Sequence, residues 1–330
     1  MLTASKQQDR RAAGRWGGPL VVETDRDRTF EEWAARERAW IEGALVEHGA
    51  IRFKRCGVDS PEAFRAAASA LCNSLVDYMY RSTPRTSVGD QVYTATEYRN
   101  SAVIPLHNEN AYQRDWPTRL VFTCLQPAAT GGETTLASTA AITSRIDEAV
   151  KQRFVERGVM YVRNYGHGVD LPWQTVFQTS DPAEVEQFCR RENIDFEWLP
   201  NGRLRTKQVC QAVATHPATS ERLWFNQAHV FHVSALGRED EAITLKLFGE
   251  ANVPRNACYG DGERIPVDAL THIRAAYEAE TMMWPWEAGD VLLVDNMLVA
   301  HGRQPFTGTR KVLVVMGDPI STVTTSRAQN

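Results

Sequence analysis

Apolar positions along the chain change their spacing several times, and each change predicts a different kind of element. From residue 29 to residue 48 they recur at helical spacing, with Trp33, Ala34, Trp40, Ile41 and Leu45 along a face. Thr29 can cap that helix, and Glu31 and Glu32 place negative charge in its first turn. Residues 50–53 form a short apolar strand. Residues 60–77 return to helical spacing, with Pro61 at the first position, where its missing N–H costs nothing. Over residues 92–137 the pattern shortens to β runs separated by turns. Residues 119–125 are the clearest strand there, and Thr130-Gly131-Gly132-Glu133 is the clearest turn. Residues 138–157 read as helix. The stretch 161–231 is aromatic-rich and irregular, apart from a capped helix over 181–191. A helix over 239–251 ends near Gly249, and strands resume at 283–286, 290–295 and 311–316.

Strand sets before and after a long insert predict a mainly β chain with flanking helices (α+β), rolled into a double-stranded β-helix, or cupin-like jelly roll. Residues 1–20 are polar, basic and glycine-bearing and read as a mobile arm. Residues 21–320 then form one domain, with a lid or insert at about 161–231, and the Ser/Thr-rich residues 321–330 read as a disordered tail.

Composition narrows the function classes. A net charge of −4 gives no footprint for nucleic acid or an anionic membrane. No apolar run approaches the length of a membrane span, and the N-terminus lacks an apolar signal region. The 6 cysteines are scattered, with no Cys-x-x-Cys pair, which suits reduced thiols in a cytoplasmic enzyme. Self-association into a homo-oligomer stays open.

The candidate chemistry lies in two distant segments. His107 and Glu109 stand two apart in Leu106-His107-Asn108-Glu109, a spacing that points both side chains to one face of an extended chain. His301 follows far along, in Asp295-Asn296-Met297-Leu298-Val299-Ala300-His301. Two imidazoles and one carboxylate, with three positions left open, are the ligand set of non-haem Fe(II) oxygenases. Alone, His-x-Glu is a weak motif. The context strengthens it: after His301 come a Pro/Gly-bearing turn and a return strand that begins beside Arg310. A guanidinium there can hold a carboxylate bidentately.

The chain resembles the TauD/TfdA group of Fe(II)/2-oxoglutarate dioxygenases, in particular the branch of syringomycin-pathway aspartyl hydroxylase-like and clavaminate synthase-like proteins. The resemblance spans about residues 49–318. It rests on Gly49-Ala50-Ile51-Arg52-Phe53, Tyr93-Thr94-Ala95-Thr96-Glu97-Tyr98, Leu106-His107-Asn108-Glu109, Gln126-Pro127 through Gly131-Gly132-Glu133-Thr134, Trp224-Phe225-Asn226-Gln227, and Gly289-Asp290 through Asp295-Asn296 leading to His301 and Arg310. It implies that His107, Glu109 and His301 bind Fe(II), and that Arg310 and Thr134 hold the distal carboxylate of 2-oxoglutarate, with O2 as co-reactant. Most of the wider group carries Asp where this chain has Glu109, and the clavaminate-like branch shares the Glu. Related halogenases have a small residue there, so the resemblance favours hydroxylation.

The expected substrate is a small molecule: an amino acid or amino-acid derivative of specialised metabolism, free or tethered to a peptidyl carrier protein. Asn110, Tyr112, Arg163, Asn226 and Arg303 are the candidates to touch it. Each also has a bland reading as a packed or solvated residue. His229 and His232, in the same aromatic loop as Asn226, are weighed for substrate contact too, against a bland reading in which they cap or line the surface, and His216, before Pro217, reads as a turn residue. The alternatives are desaturation or cyclisation with the same cofactors, a sulfonate or aryloxy-acid dioxygenase, and a non-catalytic cupin-like metal binder or sensor.

Overall fold

The computed structural model describes residues 16–24 and 28–321. The tail expected from residue 321 onward therefore lies outside the described residues after Ser321, and the expected arm lies outside them up to residue 15. From Trp16 onward the chain is tied down, because the Trp16 indole donates to the His48 carbonyl at 2.8 Å.

Three long apolar runs form the middle of an eight-stranded sheet. They are the strands Val291–Asp295, Asp115–Gln126 and Lys311–Ser321, paired antiparallel. Leu20–Glu23 and Ala50–Lys54 continue the sheet on one side, and Val92–Thr94 and Ser87–Gly89 on the other. Successive residues of these strands face opposite ways. Val121, Leu293, Leu313 and Val315 meet a helical layer that contributes Phe30, Trp33, Ile41 and Phe64. Leu120, Phe122, Leu292 and Val314 face the interior, where they join Leu136, Val299 and Phe225. Strand segments buried on both faces are apolar at nearly every position, with Thr123 as an exception whose hydroxyl donates to the Asp290 carbonyl, which explains why these runs show no strict alternation.

The second sheet is smaller and carries the chemistry. Its order is Met282–Trp284, Thr134–Ser138, Val299–Arg303, Ile104–His107. The two sheets enclose the interior cluster between them as a jelly roll.

The predicted helices exist, with shifted ends. Thr29 and Glu32 form a reciprocal capping box, and the helical span from Phe30 to His48 is two helices that meet at Glu37. The helix begun by Pro61 stops at Leu71, not residue 77, because Asn73 and Ser74 turn away to bond Asp318. The helix over 138–157 is interrupted at Ile146 and restarts at Glu148. The larger difference lies in the stretch 161–231. It is not irregular: Val159–Tyr165, Arg203–Cys210 and Asp195–Leu199 pair with one another and with Arg255–Tyr259 in a third, four-stranded sheet. Its aromatics pack into a core of their own with Phe154, Ile273 and Tyr277. No helix among the described residues is long and apolar enough to cross a membrane.

Candidate active site

Two neighbouring strands of the small sheet bring the distant motifs together. His301 and His107 are register partners, and their rings lie 4.5 Å apart. Gly302 makes this pairing possible: a Cβ there would stand 2.5 Å from the Ile104 carbonyl oxygen. Glu109 follows two residues after His107, with Oε2 at 3.8 Å from His301 Nε2. One ligand atom from each of the three residues lies within 4.8 Å of the others.

Neighbouring groups hold these side chains in a ligand-ready state. His107 Nδ1 lies 2.8 Å from the Pro105 carbonyl oxygen, which only accepts, so Nδ1 carries the proton and Nε2 is left free. Enclosure by protein is the leading cause that lowers the pKa of both imidazoles, and His107 lowers that of His301 further. Both rings are therefore neutral near pH 7, as metal binding requires. Asn296 fixes Glu109 from behind. Its Oδ1 accepts the Glu109 N–H at 2.7 Å, and its Nδ2 donates to the carbonyls of Glu109 and Pro117 at 2.9 and 2.8 Å.

The triad opens into a cavity of about 420 Å³, mouth included, lined among others by Arg85, Phe122, Thr134, Arg303 and Arg310. Thr134 Oγ1 accepts the Trp286 indole N–H at 2.9 Å, so its own hydroxyl proton is available to a ligand. Arg310 Nε donates to the Gly132 carbonyl at 3.0 Å. Gly132, at φ +74°, would press a Cβ to 3.0 Å from Arg310 Cδ, so the turn read from the sequence sets the guanidinium's position. Burial, then the neighbouring Arg303 charge, lowers the Arg310 pKa to about 10, which leaves it charged at neutral pH.

Five residues were expected to touch substrate, and of these only Arg303 lines the cavity. Its terminal nitrogens donate to the carbonyls of Tyr98, Arg99 and Ala102, so it braces that loop. Tyr112 donates to the Tyr80 carbonyl at 2.9 Å and packs on Phe231. Arg163 is buried between the Tyr80 and Tyr165 rings and donates to the Arg81 carbonyl at 2.9 Å. Asn226 bonds Ala212 and Ala228 at both ends of its amide. Asn110, at φ +57°, is buried with no partner for Oδ1. His216 accepts the N–H groups of Ala218 and Thr219, the turn role expected of it.

Sequence reasoning missed two residues. Asn296 stands inside a quoted motif, yet nothing in that motif shows that its amide spans to Glu109. Arg85 lies in a loop, and Nη2 donates to Glu109 Oε2 at 2.5 Å with both side chains almost fully buried. Burial opposes the Arg85 charge, but Glu109 and Tyr78 outweigh it and raise the pKa. No spacing rule announces a loop arginine that folds back onto a ligand.

A family model, "Taurine catabolism dioxygenase TauD, TfdA family", matches residues 13–316. The dapdiamide synthesis protein DdaC of Enterobacter agglomerans is 39% identical over 301 residues, covering 91% of each chain. A clavaminate synthase-like protein of Arabidopsis thaliana is 30% identical over 295 residues, covering 86% of each. Among solved structures, an asparagine oxygenase in complex with Fe(II), 3-hydroxyasparagine and succinate superposes with a TM-score of 0.54. At 14% identity, covering 93% of this chain and 96% of that one, it supports the fold. The chain belongs to the TauD/TfdA family and is an Fe(II)/2-oxoglutarate-dependent dioxygenase of double-stranded β-helix fold.

Proposed function

We propose that His107, Glu109 and His301 hold Fe(II), that Arg310 and Thr134 hold the distal carboxylate of 2-oxoglutarate, and that the enzyme hydroxylates an unactivated C–H bond of an amino acid or amino-acid derivative. One observation carries this reading: two neutral imidazoles that line a cavity converge with a carboxylate set behind its wall, and the same cavity receives a half-buried guanidinium and an available hydroxyl. The donor set is mixed nitrogen and oxygen without thiolate, which suits ferrous iron with open positions. When bound, iron and 2-oxoglutarate supply oxidative decarboxylation of the cosubstrate and activation of O2. The protein's own contribution is positioning and dryness. Pro105 fixes the tautomer of His107, Asn296 fixes the backbone of Glu109, and Arg310 orients the cosubstrate's tail. Phe122, 5.4 Å from the His301 ring, shields that ligand from water.

The amino-acid reading draws on the relative named for dapdiamide synthesis. The substrate arrives free or as a thioester on a carrier protein, and the six unpaired cysteines fit a cytoplasmic setting. Of the five residues expected to touch substrate, Arg303, which lines the cavity, remains a candidate for that contact.

Anaerobic addition of Fe(II) and then 2-oxoglutarate should produce the visible charge-transfer band of the bound chelate, and His107→Ala should lose both band and turnover. A His107→Ala protein that keeps stoichiometric iron and full activity refutes the ligand assignment. Succinate release is then screened over free amino acids, carrier-bound aminoacyl thioesters, and sulfonates with aryloxy-acids. Coupled turnover of the last set alone refutes the amino-acid reading. The mass of the product separates added oxygen from desaturation or cyclisation, which lose hydrogen.

A further inference from the structure

We propose that Arg85 is a second anion site in this cavity and binds a carboxylate of the substrate; the inference rests on the iron and 2-oxoglutarate assignment above. Arg85 lines the cavity beside His107 and His301. It is 7% exposed, and its single polar partner among the described residues is Glu109, through Nη2. Nε and Nη1 are buried and make no hydrogen bond. The Tyr78 ring covers one face of the guanidinium at 4.6 Å, which fixes its plane and directs the remaining N–H groups outward along its edges. A buried guanidinium with idle donors calls for a second acceptor, and a carboxylate matches its fork.

Charge points the same way. The cavity lining contains three guanidiniums, Arg85, Arg303 and Arg310, and no carboxylate. Iron takes up the charge of Glu109, and the dianionic cosubstrate offsets Arg310 and part of the metal. Positive charge remains in an enclosed space, and burial makes an uncompensated charge costly. The other guanidiniums are less available: Arg303 spends both terminal nitrogens on backbone carbonyls, and Arg310 is assigned to the cosubstrate. Arg85 is thus the cation with free donors nearest the metal ligands. For a free amino acid the carboxylate is the α-carboxylate. For a thioester-linked one it is a side-chain acid.

The test uses the anaerobic enzyme loaded with Fe(II) and 2-oxoglutarate. The probes are acid and amide pairs of one shape: L-aspartate with L-asparagine, each with its α-amide, and the aspartyl and asparaginyl thioesters of N-acetylcysteamine. Binding is read as perturbation of the charge-transfer band. The wild type should bind the better acid at least tenfold more tightly than its amide, and Arg85→Gln should erase that preference at saturating metal. Arg85→Lys, which keeps a charge beside Glu109 without the fork, should retain part of it. An unchanged preference in Arg85→Gln overturns the proposal. So does a wild type that favours the amides or binds no acid. If Arg85→Gln fails to load iron, Arg85→Lys decides: full preference in that variant overturns the proposal. A wild type without the charge-transfer band instead refutes the underlying cofactor assignment.

Discussion

Two histidines near one strand carry opposite lessons. His107 ends the strand Ile104–His107, bonds a carbonyl through Nδ1, and leaves Nε2 free beside Glu109 and His301. His229 donates Nε2–H to Leu106, the residue just before His107, and stacks on Tyr277 at 4.1 Å. Both imidazoles are neutral, His229 fully buried and His107 half-buried, and enclosure lowers the pKa of each. His107 differs because a carboxylate and a second imidazole converge on its unbonded nitrogen, and among the described residues this is the one group of that kind. The contrast extends further. Thr134 and Arg310 keep donors for a ligand, whereas Asn226 and Tyr112 spend theirs on backbone. A polar side chain becomes functional here through what its neighbours leave unpaired.

The largest expected effect breaks that contrast on the functional side. Losing a buried, charge-assisted pair to a carboxylate commonly costs about 2–5 kcal/mol. Arg310→Ala should therefore raise the dissociation constant for 2-oxoglutarate at least tenfold, about 1.4 kcal/mol per decade, in the anaerobic titration. Arg303→Ala is the counterpart, and its effect should be smaller because its fork already serves the 98–102 loop. An unchanged constant in Arg310→Ala would transfer the role to Arg303.

Local signals made much of this legible. Thr29 and Asp181 cap helices where their side chains and spacing predicted caps, and Pro61 takes the first helical position as expected, behind a Ser60 cap not expected from the sequence. The run at 119–125 is the centre of the large sheet. The triad was legible because His107 and Glu109 stand two apart, and because the flanking motifs, including the one that leads to His301, resemble a known family. What could not be read depends on non-local packing. The third sheet was missed because its central strand, Val159–Tyr165, pairs with Arg203–Cys210 and Arg255–Tyr259 far along the chain, a pairing no local periodicity encodes. Asn226 looked like a polar handle in an aromatic wall, and only the structure shows its amide consumed by Ala212 and Ala228. Arg85 reaches Glu109 from a loop whose path no periodicity encodes.

A middle-sized effect sharpens the contrast from the scaffold side. Asn226→Ala leaves the Ala228 N–H without a partner in a fully buried place and takes one of two donors from the Ala212 carbonyl, which keeps the Phe225 N–H. Stranding buried groups of this kind costs roughly 1–3 kcal/mol. The denaturation midpoint should fall accordingly, while the 2-oxoglutarate constant stays within about twofold on the affinity scale. A weakened constant with unchanged stability would instead make Asn226 a ligand residue.

The smallest effect concerns pH and returns to His229. Burial is the main cause that lowers its pKa from 6.5 to about 3 in the folded chain. Above pH 6.5 the imidazole is neutral whether the chain is folded or unfolded, so it adds no pH dependence. Between pH 6.5 and 3 the unfolded chain takes up a proton that the folded chain refuses, so stability falls as pH falls through that window. At pH 5.5, one unit below the unfolded value, the loss from this group is about 1.4 kcal/mol. His229→Gln keeps an N–H donor for the Leu106 carbonyl but has nothing to titrate. Urea unfolding at pH 7.5 and 5.5 should show the wild type losing about that much more stability than the variant between the two conditions. Equal losses in both proteins would mean that His229 takes up its proton in place, and its contrast with His107 would then fail.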